Sequence, residues 1–452
     1  MNGADTPLSR VFAALVVDSR PDEATRAAAR DGVLDFLACA IGGLEDGGYR
    51  KLRQALAPAF GAAVATIIGE EARIDAPHAA VLNGYLGHAL DYDDVQAGVR
   101  GHPSTVILPA LLAAAEADGG TATALLDAYV VGVEAMARLG RAMGHGHYEA
   151  GFHNTATLGP IGAAAAVARL RGLDAGRTAQ ALGIAATQSA GLRLQFGSEI
   201  KPLHAGLAAR SGLLAVTLAE AGLEGSERFL DGATSFLAAF AQGQARPALA
   251  VEGWGTPWEI LSPGLMFKEY ACCHAAHLAA DTVLDLRAEH GLTAADVDSA
   301  TITFPRGGDA ALVVQQPATG LDGRFSVEYV VAAALTDGRL GIATFADRPV
   351  RADIAALLPR MHRRHDMDAP SVSEAPQKRF ARVDLRLRDG REIGRTATRV
   401  RGARDLHAKF LDAAAGRLGA EAIPGLVARM QDAADLGLLL AALRGLGTAI
   451  QA

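Results

Sequence analysis

Between Leu8 and about Gly264, apolar residues recur at the i, i+3, i+4, i+7 spacing that places them along one face of a helix. Leu8, Val11, Phe12, Leu15 and Val16 begin the pattern, and Val33, Phe36, Leu37 and Ile41 continue it. The same period runs through Val81, Leu82, Tyr85, Leu86 and Ala89, and predicts helices over 106–117, 125–143, 158–170, 178–190 and 213–221. Ser104, Asn154 and Asp174 stand where side chains cap helix starts. Alanine dominates and aromatics make up only 5% of the chain, a composition for closely packed helices and not for sandwiches or barrels.

After Leu265 the period changes. Thr301–Phe304 reads as a strand, and Val383, Leu385 and Leu387 alternate with charged residues before Asp389-Gly390, a hairpin turn signal. Helices are expected at 325–335 and 352–358. Beyond about Ala403 the helical pattern resumes, and the Leu438–Leu443 run is apolar enough to need burial. A chain of 452 residues exceeds the roughly 250–300 residues one core usually serves. The expectation is a mainly α protein: a large all-α domain over 1–264, a smaller α+β unit over 265–403, and helices over 404–452 that return to the first domain.

The net charge of −7 and the lack of a basic stripe argue against a nucleic-acid partner. The Met1–Leu15 segment lacks an export core, and no apolar run reaches the roughly 18–20 residues of a membrane span. Three cysteines, Cys39, Cys272 and Cys273, are an odd count unlike a secreted disulfide framework. A soluble cytoplasmic protein is expected.

Four polar clusters interrupt this apolar chain, and buried charge is costly unless paired or used. In the first, 83–109, Asp91 ends a helix and is the acid, base or orienting candidate; Asp93 and Asp94 read as caps or as solvated turn residues, with Mg²⁺ binding as the rival. His88 reads as a hydrogen-bonded core residue. His102, before Pro103 and a helix start, is placed to meet a substrate carboxylate. The second cluster holds His145, His147, Tyr148 and His153, of which His145 and His147 read as surface residues. These histidines do not follow a familiar metal spacing. In the third, Lys201 precedes Pro202 and is expected on a loop facing the interior, where an ammonium neutralises carboxylates or acts as a base. The fourth runs from Lys268 through Cys272, Cys273, His274 and His277. Adjacent cysteines neither chelate one zinc well nor bridge each other, but a thiol near cations exchanges protons.

The segments NGYLGHALDYDD, GHPSTVILPALLA, GFHNTATLGPIGAA, KPLHAGLAARSG, KEYACCHAAH and FSVEYVVAAAL, in this order, resemble the MmgE/PrpD family over essentially the full length. That resemblance implies a homodimer with a site between the domains that uses no metal or cofactor, acting on polycarboxylates. It places site residues on Asp91, His102, His153, Lys201 and Lys268. Two positions depart from the family's lyases. Asp91-Tyr92-Asp93-Asp94 continues as Val95-Gln96 in place of Thr-Trp, and Cys273 stands in the position of a histidine.

A cysteine and a distinct second base suit a proton transfer that leaves one face of a carbon and returns to the other. The expected activity is therefore epimerisation of iminodisuccinate or a similar amino-linked dicarboxylate, with dehydration or decarboxylation of a 2-methylcitrate- or cis-aconitate-like acid as the alternative. Tyr148, Lys201, Cys273, His102 and Asp91 are the catalytic candidates; His153, Lys268, Cys272, His274 and Arg324 are the substrate-binding ones. A diphosphate-binding Mg²⁺ enzyme using the three aspartates would need an aromatic-lined pocket, which the low aromatic content disfavours.

Overall fold

The computed structural model describes residues 6–403 and 405–448. The first five residues of the Met1–Leu15 segment, and residues 404 and 449–452 of the C-terminal segment, lie outside them. Side chains with local acceptors start the helices. Asp22 receives the Thr25 N–H at the head of α1 (Glu23–Gly42), and Asp75 receives that of His78 before α2 (Ala76–His88). After α3 (Ser104–Asp118) and α4 (Ala122–Met143) come α5 (Asn154–Arg171), α6 (Ala175–Ala186) and α7 (Ile200–Glu220). Asp174 caps α6 as expected.

Two expected caps serve elsewhere. Ser104 is the first residue of α3 and donates its hydroxyl to Asp94 at 2.6 Å, while Asn154 is the first residue of α5 and donates to the Val99 carbonyl at 2.8 Å. Both tie a helix start to the polar 91–102 segment. The helix expected over 213–221 begins instead at Ile200, so Lys201 lies in its first turn and not on a loop. Pro202 is compatible with that position, because the first turn has no intrahelical use for the missing N–H.

The packing of α2 against α7 determines where the site forms. A Cβ on Gly84 would lie 2.7 Å from the Gly206 Cα, and one on Gly206 would lie 2.2 Å from the Val81 carbonyl oxygen. Only glycine at both positions allows so close an approach. It brings the C-terminal end of α2, with His88 and Asp91, against the N-terminal turn of α7, with Lys201 and His204.

The first hydrophobic core gathers these helices together with Phe410, Leu439 and Leu443 from α10 (Leu406–Ala413) and α11 (Ala433–Arg444) near the C-terminus. Leu438, by contrast, is 56% exposed. A short antiparallel pair, β1 (Val95–Gln96) with β2 (Leu265–Met266), joins this part to the second core. There a four-stranded sheet has the order β4 (Met361–Asp366), β3 (Val297–Pro305), β5 (Ala381–Leu387), β6 (Glu392–Ala397). β3 and β4 are parallel, and the other neighbours antiparallel. Helices α8 (His277–His290) and α9 (Val327–Asp337) share its core with Cys39, Leu90 and Tyr92. The fold is mainly α with a smaller α+β part, the class the residue pattern predicts. No helix among the described residues is long and apolar enough to cross a membrane.

Candidate active site

Asp91 follows α2 with φ +50°, a left-handed conformation that turns its side chain back toward the two cores. Its Oδ1 accepts from Lys201 Nζ at 2.9 Å and from Lys268 Nζ at 2.7 Å, and Lys268 also donates to the Asp91 carbonyl at 2.7 Å. All three side chains are buried. Burial disfavours the Asp91 charge, but the two ammoniums outweigh it and hold the carboxyl well below the usual range. Burial likewise opposes the charge on Lys268, and Asp91 with Asp93 raises its pKa in spite of that. The chain has five lysines among its 43 basic residues, and Lys201, Lys268 and Lys409 are all buried. Lysine is seldom fully buried unless paired, so these three mark the site more sharply than any sequence spacing.

Asp93 and Asp94 are buried and not solvated caps. Asp93 lies 2.9 Å from His88 Nδ1 and 3.2 Å from His102 Nδ1, and His102 Nδ1 lies 2.9 Å from the Asp94 carbonyl oxygen. A carbonyl only accepts, so His102 carries a proton on Nδ1, and its Nε2 lies 3.8 Å from Asp91 Oδ1. His88 Nε2 has no partner among the described residues. Burial lowers the His88 pKa to about 3, and that of His153 well below the ordinary histidine range, so both rings are neutral at pH 7. His88 is thus more than a satisfied core residue. His153 Nδ1 meets His204 Nδ1 at 3.1 Å, and its ring packs edge-on to Phe196.

Cys273 is buried; burial and then Asp91 push its thiol pKa up, so it stays protonated at neutral pH. Its N–H donates to the Arg324 carbonyl at 2.9 Å. Arg324 in turn donates to the Ala89 carbonyl, while its Nε has no partner among the described residues. Arg324, Asp91, His88, Lys201, Tyr85 and Phe325 line a cavity of about 30 Å³, room for little more than a water molecule. A larger cavity of about 620 Å³ opens at Arg100, Arg141, His145 and Arg246 but includes none of the Asp91 group. Admitting a substrate beside Asp91 therefore requires the two cores to part or the side chains to move.

The remaining candidates lie at different distances from this centre. Cys272 is buried with its pKa raised, and its carbonyl lies 3.3 Å from His277 Nε2. His274 is held neutral by burial, and its Nε2 has no partner among the described residues. Tyr148 stacks 3.8 Å under the Arg193 guanidinium, and burial raises its pKa. No hydrogen bond joins the Tyr148 hydroxyl to Asp91, Lys201 or Cys273 among the described residues. His147 is buried between the Phe240 carbonyl and Thr157 Oγ1, at 3.0 and 2.7 Å, and is not a surface residue. Sequence reasoning also missed Arg379, which donates to the Gly308 carbonyl at 3.0 Å and whose charge acts on Cys273 and Tyr148.

Sequence spacing gave no metal set, yet folding brings His88, Asp91, Asp93 and His102 together with donor atoms within 4.8 Å of one another. Charge sets this arrangement against a cation. Asp91 Oδ2 and His88 Nε2 have no partner among the described residues, but two ammoniums occupy Asp91 Oδ1, and both Nδ1 atoms are committed to hydrogen bonds, His88 to Asp93 and His102 to the Asp94 carbonyl. A metal would have to displace the lysines or sit among their positive charges.

The chain is similar over most of its length to several characterised proteins. It is 28% identical to a cis-aconitate decarboxylase of Aspergillus terreus (strain NIH 2624 / FGSC A1156), covering 82% of this chain and 80% of the relative. It is 27% identical to the cis-aconitate decarboxylase of Mus musculus, covering 82% and 79%, and 27% identical to that of Homo sapiens, covering 84% and 82%. The MmgE/PrpD N-terminal domain matches residues 7–248 and the MmgE/PrpD C-terminal domain residues 270–431, so this chain belongs to the MmgE/PrpD family.

Proposed function

We propose that this protein is a metal-independent lyase that decarboxylates an unsaturated polycarboxylate of the cis-aconitate class. The observation that carries this reading is the Lys201–Asp91–Lys268 group, a buried carboxylate shared by two ammoniums beside neutral histidines. Lys201, Lys268 and Arg324 gather three cations around Asp91, where a substrate with several carboxylates can meet them. When a C–C bond to a carboxylate breaks and CO₂ leaves, the electron pair stays on carbon and spreads into a neighbouring carboxylate. Cations aimed at that developing charge in a dry site stabilise it strongly. The intermediate then needs a proton on carbon, and the Cys273 thiol, kept protonated by burial and close enough for the charge of Asp91 to act on it, is an acid suited to give it. His102, oriented by Asp93 and the Asp94 carbonyl, presents its Nε2 toward Asp91.

The cis-aconitate decarboxylases similar to this chain favour the lyase over the epimerase that the Cys272-Cys273 pair suggested. Epimerisation of iminodisuccinate would need no carbon–carbon cleavage, and dehydration of a 2-methylcitrate-like acid would release water alone. A homodimer and a cytoplasmic location belong to the same proposal. Chelator-dialysed protein given cis-aconitate should release CO₂ at a steady rate. Absence of CO₂ at millimolar substrate, or turnover that returns only with added divalent metal, overturns this reading.

A further inference from the structure

We propose that Lys409, far from the active-site residues in sequence, is a positioning residue that holds the Asp91 and Lys268 backbones in register. Lys409 lies on α10 and is buried. Its Nζ donates to Asp35 Oδ1 at 2.6 Å, to the Tyr92 carbonyl at 2.8 Å and to the Lys268 carbonyl at 3.0 Å. An ammonium has three protons, and all three are used. The same ammonium sits 3.8 Å over the Tyr92 ring.

The acceptors belong to three segments that are 374, 317 and 141 residues away in the chain. Tyr92 is the residue after Asp91, and Lys268 is the partner of Asp91. The side chain of Lys268 returns to the Asp91 carbonyl and Oδ1. A closed circuit results: Lys409 holds the two main chains from behind, and Lys268 joins them to Asp91 in front. The β1–β2 pair fixes the two segments only as far as Val95 and Met266, so the stretch from there to Tyr92 and Lys268 depends on Lys409 and on the Tyr92 hydroxyl, which donates to the Glu269 carbonyl at 3.3 Å. A displacement of about 1 Å in such a constellation is enough to cost on the order of 10²-fold in rate.

An alternative role for Lys409 is to neutralise Asp35, which burial alone would make costly. The two roles separate experimentally. Lys409→Met leaves Asp35 buried without a partner and should lose both stability and turnover. Asp35→Asn/Lys409→Met removes both charges together and should recover most of the melting temperature. If Lys409 positions the site, the double variant still has kcat lowered by about tenfold or more, with KM within about threefold. Recovery of melting temperature and kcat together would reduce Lys409 to a counter-ion and overturn the proposal.

The inference rests on the proposed catalytic reading, so a second readout stands apart from turnover. With five lysines in the chain, ¹⁵N spectra of the side-chain ammoniums can follow Lys268 directly. Its resonance should move in the double variant relative to the parent protein, because Lys268 and Asp91 separate. An unchanged Lys268 resonance overturns the positioning role, whether or not the parent protein acts on any polycarboxylate. Failure of the parent protein alone to turn over defeats the catalytic reading and leaves this one to be decided by the spectrum.

Discussion

Asp91→Asn tests how much of the site depends on one negative charge. Asparagine is nearly isosteric and is among the residues that best tolerate φ near +50°, so the backbone should hold. What changes is the charge: two buried ammoniums, 2.7 and 2.9 Å from the remaining oxygen, lose their shared counter-ion. Breaking a buried pair by removing one partner costs about 3–5 kcal/mol of stability. The same loss, at about 1.4 kcal/mol per pKa unit, lowers the lysine pKa by about 2–4 units. Lys268 is buried, and desolvation is already the largest influence against its charge. Its titration should then move down toward the neutral range, as it does for buried lysines without partners.

If the ammoniums stabilise the transition state, Asp91→Asn should lower kcat/KM by about 10²–10³-fold at pH 8. Activity should recover on acidification toward pH 6, because Lys268 regains its proton there. The assay is CO₂ release from cis-aconitate between pH 6 and 9, with denaturant unfolding of the same preparations. Near-normal turnover in Asp91→Asn, or a loss that is equal at every pH, would refute the assignment of Asp91 as the group that keeps the lysines charged.

Lys201→Ala should reduce kcat/KM by about 10²-fold or more and cost less stability than Asp91→Asn, since Lys268 still pairs with Asp91; normal turnover with a collapsed melting temperature would make Lys201 structural. Cys273→Ser should slow turnover and change its solvent deuterium isotope effect, because a hydroxyl is a far weaker acid than a thiol and delays protonation of carbon; an unchanged rate and isotope effect would remove Cys273 from the protonation step. Stability should fall steeply below about pH 6.5. Burial lowers the pKa of His88 and His277 to about 3, and of His147 and His204 to about 4, so the unfolded chain binds more protons than the fold between those values and 6.5. Stability is fully present above the unfolded value, and each ring removes up to about 2 kcal/mol by pH 5. Flat unfolding free energies from pH 7 to 5 would contradict this burial.

The helical half of the fold was legible because a period of 3.6 survives in sequence wherever one face is buried, as in Phe12, Val16, Phe36 and Leu37. The start of α7 was not, because Lys201-Pro202 reads as a break although proline is harmless in a first turn. Strand β4 was missed for a different reason. Its sequence, Met361-His-Arg-Arg-His-Asp366, is charged, and it lies at the edge of the sheet with only Met361 buried.

At the site, Asp91, His102, Lys201 and Lys268 were found from their local setting, and folding brings them together. Asp93 and Asp94 were misread as caps because their partners are His88, His102 and Ser104, contacts that only tertiary packing creates. Lys409 left no local signal at all: an isolated lysine on an amphipathic helix looks like any surface residue until three remote segments converge on it.

The central claim is that a site built on the Lys201–Asp91–Lys268 group, working without a metal, cleaves a carboxylate from an unsaturated polycarboxylate and returns a proton to carbon. Proton and ¹³C NMR of chelator-dialysed protein in D₂O, with cis-aconitate, 2-methylcitrate and iminodisuccinate in parallel, reads every step at once. The account predicts CO₂ and a monodeuterated alkene product from cis-aconitate, with no change in the other two. Deuterium exchange on iminodisuccinate without CO₂ from any substrate would contradict it and assign the site to epimerisation.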